Sequence, residues 1–197
     1  HFAIRRQRQM CIRDRANAVY RKSAPLTIKT LNAQDILDES EHIVRLFDSV
    51  LEKSDFHIGT MNPKTFAACK ENLGDDFIFT AYYMDEKMLG FSTAFRNANS
   101  LDANYVGLDY AYNESYDVYQ RILYDYVELA LKTKDTELQF GRTSETIKSA
   151  VGAVPVDMTI YIQHKRSLSN VILKKVIQSV SPSPFELRKP FKANFKQ

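Results

Sequence analysis

Residues 118–131 place Tyr119, Ile122, Leu123, Tyr126, Val127, Ala130 and Leu131 at helical spacing, with short alternating runs on either side at 104–110 and 137–140. A strand, a long one-faced helix and a second strand predict a right-handed crossover, because only that hand packs the helix back onto the sheet. Such a crossover sets its two strands parallel and adjacent, so residues 105–110 are expected beside 138–140. The rest of the chain has regular punctuation. Residues 26–31 alternate as a strand, and Asn32 opens a helix whose apolar positions run from Ile36 and Leu37 through Ile43, Val44 and Phe47 to Val50 and Leu51. Asn62-Pro63 starts a second helix that Gly74 closes. Strands at 77–84 and 88–95 are joined tightly at 85–87 as a hairpin, and 96–103 reads as a polar loop. Beyond 140, a short helix at 144–151 precedes an alternating strand at 156–163 through Met158, Ile160 and Ile162. The expected class is a mixed α/β sheet in the order β-α-α-β-β-β-α-β-α-β.

Chemistry concentrates after residue 138. Phe140-Gly141 ends a strand, Arg142 enters a turn, and Thr143 or Ser144 is positioned to cap the next helix. A helix start offers unpaired N–H groups and a positive dipole end, Arg142 adds a cationic fork, and Lys148 follows one turn after Ser144. Arg142 is read either as an anion ligand or as the ion-pair partner of Glu145. Gly152 suits the left-handed position that closes such a helix.

The succession Phe140-Gly141-Arg142-Thr143, then Lys148, then Gly152-Ala153-x-Pro155 resembles the last third of GNAT-superfamily acyltransferases, in the FemAB-like branch. The resemblance implies a GNAT-like fold and acyl transfer to an amine of a small molecule, an amino sugar or a cell-envelope precursor, by direct attack without a protein nucleophile. It further implies that the fourth strand offers backbone N–H groups around Leu108 to the acyl carbonyl. Asp109 and Tyr110 then become candidate catalytic groups, with Arg142, Thr143, Lys148, Leu108 and Tyr112 as binding residues. The residues themselves leave a second reading open, in which Tyr110 packs in the core and Asp109 caps a turn.

Two departures bear on the donor. Acyl-coenzyme A is the donor that the superfamily implies, held by a glycine-rich loop before the long helix. This chain has Tyr112-Asn113-Glu114-Ser115-Tyr116-Asp117 there, with two acids and no glycine, which argues against a pyrophosphate. The FemAB-like branch tolerates that loss, and some members take an aminoacyl group from aminoacyl-tRNA; this gives an aminoacyl-tRNA-dependent transferase as the alternative. Residues 144–151 also lack the tyrosine that many superfamily members use as general acid, leaving Tyr110, Tyr112 or Tyr116 for that role. A non-catalytic GNAT-like binding module is a third reading.

Charge is divided along the chain. Residues 1–22 hold seven Lys/Arg against one acid and 164–197 hold eight against one, while the 141 residues between carry 12 basic and 22 acidic side chains. Basic ends can bind an anionic partner or dock on the acidic body. Met10-Cys11-Ile12-Arg13-Asp14-Arg15 resembles an adaptor-derived read-through seen in environmental sequence assemblies, so residues 1–25 are set apart as a basic arm that is truncated or artefactual. Residues 26–164 form the expected GNAT-like domain, and 165–197 a basic helix and tail with Leu168, Val171, Ile172, Ile177 and Val180 on its apolar side. A GNAT-like half preceding His1 is a further expectation. Cys11 and Cys69 have no metal-ligand or redox spacing and the four histidines are isolated, so no metal is expected. With no apolar run near 20 residues, no membrane span is expected, and the cytoplasm is the expected compartment.

Overall fold

The computed structural model describes residues 12–53, 61–141, 144–159, 161–166, 169, 170, 173 and 185–188. In chain order these form α1 (Ile12–Lys22), β1 (Thr27–Thr30), α2 (Ala33–Asp38), α3 (Ser40–Glu52), α4 (Pro63–Leu73), β2 (Phe77–Met84), β3 (Lys87–Asn97), β4 (Ser100–Leu108), α5 (Tyr110–Tyr116), α6 (Val118–Thr133), β5 (Glu137–Gln139) and α7 (Glu145–Ser149). The five strands make one sheet in sequence order, antiparallel except for the last pair, β4 with β5, which is parallel. This is the mixed sheet that the crossover predicts, but β5 pairs with residues 100–102 and not with 105–110, because β4 already begins at Ser100, inside the stretch expected as a loop.

Alternation along β2 divides the core. Phe77, Phe79, Ala81 and Tyr83 face α2, α3 and α4, whereas Ile78 and Tyr82 face α6. On the first side Phe66 of α4 lies 5.6 to 6.3 Å, centroid to centroid, from Phe77, Phe79, Phe91 and Tyr105. Each fully buried aromatic there contributes on the order of 1.5–3 kcal/mol of transfer free energy. On the other side α6 buries Val118, Ile122, Tyr126 and Ala130.

The helical stretch after Asn32 is two helices. A capping box joins Asn32 and Asp35, each side chain accepting the other's backbone N–H, and starts α2. The Ser40 hydroxyl then donates back to the Leu37 carbonyl, and the chain turns at Glu39 before α3. At the second helix start the Asn62 side chain accepts the Lys64 N–H, with Pro63 in the first helical position.

Residues 96–103, expected as a polar loop, are a hairpin. β3 runs on to Asn97, Ala98 turns at φ 53°, and β4 begins at Ser100. The polar residues bond one another across it: Asn97 Nδ2 and Ser100 Oγ both donate to the Asp102 carboxylate, at 2.6 and 2.9 Å. Leu101 is fully buried. At the other end β4 stops at Leu108, so Asp109 and Tyr110 belong to the start of α5 and not to the strand.

Two other expectations meet different outcomes. The arm set aside at 1–25 contains α1, which lies against α6: Val19 is buried, the Tyr20 hydroxyl donates to Glu128 at 3.0 Å, and the Arg121 guanidinium lies 4.3 Å from the Tyr20 ring centre. Arginine-rich composition hid that apolar face. The described part of 156–163 forms no strand, and its alternating side chains are exposed. Most of the helix expected at 167–180 lies outside the described residues. No helix among the described residues is long and apolar enough to cross a membrane.

Candidate active site

β4 and β5 stay together only briefly. Their pairing runs from Ser100 with Glu137 to Asp102 with Gln139 and then ends. Immediately beyond, Thr93 of β3 faces two residues of β4, since Ala94 pairs with Ala103 and Ser92 with Val106. This is a bulge in β4, which bends and twists the strand at that point. The Thr93 hydroxyl repairs the ladder by accepting the Tyr105 N–H at 2.9 Å, and the Thr93 carbonyl accepts the buried Tyr126 hydroxyl at 2.8 Å. Past the bulge, β4 has no β5 partner among the described residues, and the space beside it on that side is termed the gap.

Gly107 allows β4 to continue close to its neighbours. A Cβ there would lie 2.2 and 2.6 Å from Phe91 ring atoms and 2.9 Å from Leu46 Cβ. The Asp109 N–H donates to the Leu89 carbonyl at 2.8 Å, toward β3. Backbone direction alternates in an antiparallel strand, so the N–H groups of Val106 and Leu108 face the side that β5 has left. The Leu108 carbonyl, on the same side, accepts the Ser49 hydroxyl from α3.

Asp109 itself is a cap. Its Oδ1 accepts the Ala111 N–H at 3.2 Å, and its Oδ2 lies 3.0 Å from Lys87 Nζ and 3.5 Å from Arg45 Nη1. The Asp109 hydrogen bond is the leading cause that holds the Lys87 ammonium above its ordinary pKa. Lys87 also lies 4.1 Å from the Tyr112 ring centre, and Tyr112 stacks on Tyr116. Lys53 covers Tyr110 at 3.9 Å, and burial raises the Tyr110 phenol.

Across the gap, Gly141 turns at φ 63° and the buried Lys148 ammonium donates to its carbonyl at 3.5 Å. Burial lowers the Lys148 pKa to about 8, against the opposing effect of Glu145. Ser144 occupies the cap position of α7, but its side chain makes no capping bond. Gly152 has the positive φ, 101°, expected at the exit. Arg142 and Thr143 lie outside the described residues. Leu108, Asp109, Tyr110 and Tyr112 lie along the β4–α5 junction, and Lys148 lies beside Gly141 past the end of β5.

Tyr119, on the first turn of α6, was not among the expected residues. Burial raises its phenol, while the Ser144 hydroxyl beside it pulls the other way and the Tyr110 phenol adds to the rise. It therefore connects the α5 side with the start of α7, and stays protonated at neutral pH. No spacing rule singles out this tyrosine from the ten others. Ser49 and Arg45 were missed too, although their i, i+4 placement beside an apolar face was a readable signal. Both open into a groove of about 1060 Å³ between α3 and the start of α4, which Glu41, Asp48, Glu52 and Lys64 also line. Those three carboxylates form no ion pair among the described residues.

No protein-family model and no curated protein matches the chain. Solved structures do. An aminoglycoside acetyltransferase from an uncultured soil metagenomic sample, in complex with sisomicin, is 11% identical with a TM-score of 0.54, over 73% of this chain and 98% of that one. A GNAT family acetyltransferase of Staphylococcus aureus is 13% identical with a TM-score of 0.52, over 71% and 98%. Glucosamine-6-phosphate N-acetyltransferase from Arabidopsis thaliana is 10% identical with a TM-score of 0.50, over 70% and 97%. The chain has the GNAT acetyltransferase fold.

Acyl-coenzyme A, the donor that the GNAT fold implies, would need free N–H donors for its pyrophosphate at the α6 N-terminus. Residues 110–116 form a helix there in place of a glycine loop. Asn113 Oδ1 accepts the Tyr119 N–H at 2.9 Å, so an internal oxygen already holds one of the donors an anion would take. Asp117, at φ 49°, adds a carboxylate at the same junction and bridges to Lys22 at 2.9 Å. These groups do not fit a pyrophosphate.

Proposed function

We propose that this chain transfers an acyl group to the amine of a small molecule in the gap between β4 and β5. The observation that carries the reading is the bulge-driven parting of the two strands, which turns the Leu108 N–H toward the gap. An amine nitrogen attacks the acyl carbonyl carbon, negative charge grows on the carbonyl oxygen, and the Leu108 N–H donates to it. The carbon–leaving-group bond then breaks, and the leaving group takes a proton. Tyr119 or Tyr110, each held protonated by its burial, donates that one proton; the amine has lost its first proton to solvent before attack, and the second, shed by nitrogen as the amide forms, returns to the phenolate. Asp109 positions the start of α5 and gathers Lys87 and Arg45 beside Leu108. Tyr112, Arg142, Thr143 and Lys148 bind the polar parts of donor or acceptor.

The acceptor enters through the α3–α4 groove, whose Ser49 and Arg45 reach Leu108 and Asp109. Glu41, Asp48 and Glu52 outnumber Arg45 and Lys64 along that entrance by one charge, a balance suited to a cationic amine. An amino sugar or aminated cell-envelope precursor fits both that charge and the acceptors named for two fold neighbours. The internal cap at Asn113 favours, as a second reading, a donor without a pyrophosphate, namely an aminoacyl-tRNA in a FemAB-like reaction.

The test offers acetyl-coenzyme A, a short acetyl thioester lacking the nucleotide, and aminoacyl-tRNA, each with a panel of aminoglycosides and amino sugars, and reads the acylated amine by mass spectrometry. Transfer that falls at least tenfold in kcat for Tyr119→Phe, with the melting temperature retained, is expected. No acylated amine with any donor sinks the enzymatic reading in favour of a binding module.

A further inference from the structure

The face of the sheet beside α6 carries a row of hydroxyls where a sheet packed against a helix ordinarily presents apolar side chains. Thr30 of β1 pairs with Thr80 of β2, and Thr80 pairs with Ser92 of β3, so the three side chains stand in one line across three strands, about 4.5–5.5 Å apart. One row away on either side the same face turns apolar, with Ile28 on one flank and Ile78 paired with Ala94 on the other. These strands and α6 bound a trough of about 360 Å³. It lies on the opposite face of the sheet from the α3–α4 groove.

We propose that this trough is a second ligand site, which binds a neutral polyhydroxylated small molecule of one or two sugar rings. The charged side chains of its α6 wall already cancel in pairs. Asp125 accepts Arg121 Nε at 2.7 Å through one carboxylate oxygen and the Tyr82 hydroxyl at 3.0 Å through the other, while Glu128 accepts Lys132 Nζ at 2.6 Å and the Tyr20 hydroxyl at 3.0 Å. A charged ligand meets a wall of no net charge, and by taking either partner of the Arg121–Asp125 pair it would strand the other. The hydroxyls are the opposite case. Thr30 and Thr80 make no side-chain hydrogen bond among the described residues, so each has a donor and two acceptor positions to offer an occupant of the trough. Ser92, at the buried end of the row, is fixed by the Tyr82 and Tyr126 phenols. A hydroxyl row between two apolar strips complements a sugar ring, whose rim bears hydroxyls and whose faces bear C–H groups. The volume is at the small end of the roughly 300–1,000 Å³ usual for ligand sites, which sets the limit of one or two rings.

Amide NMR of the isotope-labelled chain tests this residue by residue. The probes are glucose and maltose, with glucosamine and glucuronate at slightly acidic pH to place a positive or a negative charge on the same ring. Glucose and maltose are expected to shift the Thr30, Thr80 and Ser92 amides along saturating curves, and the two charged sugars to bind there more weakly. Thr80→Val and Thr30→Val each keep the side-chain shape and the strand preference while removing one hydroxyl, so each should weaken maltose by about three- to tenfold with the melting temperature retained. Maltose affinity unchanged in both variants, tighter binding of either charged sugar at these amides, or neutral-sugar shifts that gather at Leu108 and Asp109 instead would each overturn the site. No shift at Thr30, Thr80 or Ser92 with any probe would do the same. Acyl transfer can fail with this result intact, since no donor is present.

Discussion

Gly107 is the tightest point of the site's frame, and Gly107→Ala tests it. The new methyl carbon would sit 2.2 and 2.6 Å from two Phe91 ring atoms and 2.9 Å from Leu46 Cβ, where ordinary contact needs about 3.5–4 Å. Phe91 cannot step aside cheaply, for its ring is stacked on Phe79 at 5.0 Å and meets Phe66 at 6.0 Å. Leu46 Cβ is fixed to the backbone of α3, which the Ser49 bond ties to Leu108. Overpacking a dense core by one methyl costs roughly 1–3 kcal/mol, and two immovable neighbours put this case at the upper end. At about 2–4 °C per kcal/mol for a chain of this size, the melting temperature should fall by about 6–12 °C. Calorimetry reads the shift, and Phe91→Leu in the same chain should restore part of it, because the two changes share one space. A fall of less than about 2 °C, or strict additivity of the two substitutions, would show that β4 does not approach Phe91 as described.

Three other outcomes follow from the site. Asp109→Ala should cost about 1–2 kcal/mol, chiefly the cap, since Lys87 and Arg45 are half-exposed and exposed pairs are worth at most about 1 kcal/mol. Asp109→Asn keeps a capping oxygen and should melt nearly as the parent; turnover lost in it with the fold intact would mark the charge as functional. Lys148 is buried with a pKa of about 8 against an ordinary 10.5, so the unfolded chain binds the extra proton between those values and stability rises with pH across that window. The melting difference between Lys148→Met and the parent should therefore be largest near pH 7 and narrow toward pH 9.5, and a constant difference contradicts the burial. Finally, calorimetry should find weak binding of coenzyme A to the parent and tighter binding after Asn113→Ala with Asp117→Gly, which frees the α6 N-terminus; micromolar affinity in the parent refutes the internal cap.

Local chemistry reached far into this fold. The α6 stripe foretold that the strands before and after it are adjacent and parallel, because a crossover of that length has one favourable hand, but not that β5 meets residues 100–102 rather than 105–110. Asn32, Asn62 and Gly74 marked helix ends from their own backbone and side-chain preferences. The crowding that needs Gly107, the bulge at Thr93 and the parting of the strands were not legible, because each depends on which residue lies across the sheet. The same holds for Asp109, whose cap and two cations come from α5, β3 and α3 together. Tyr119 differs from its fellow tyrosines only in what surrounds it. At 156–163 alternation alone announced a strand, yet a strand exists only when another edge pairs with it, and the described chain supplies none. Sequence thus determined the elements, whose preferences are local; tertiary structure decided the gap and its chemistry, which arise from neighbours distant in the chain.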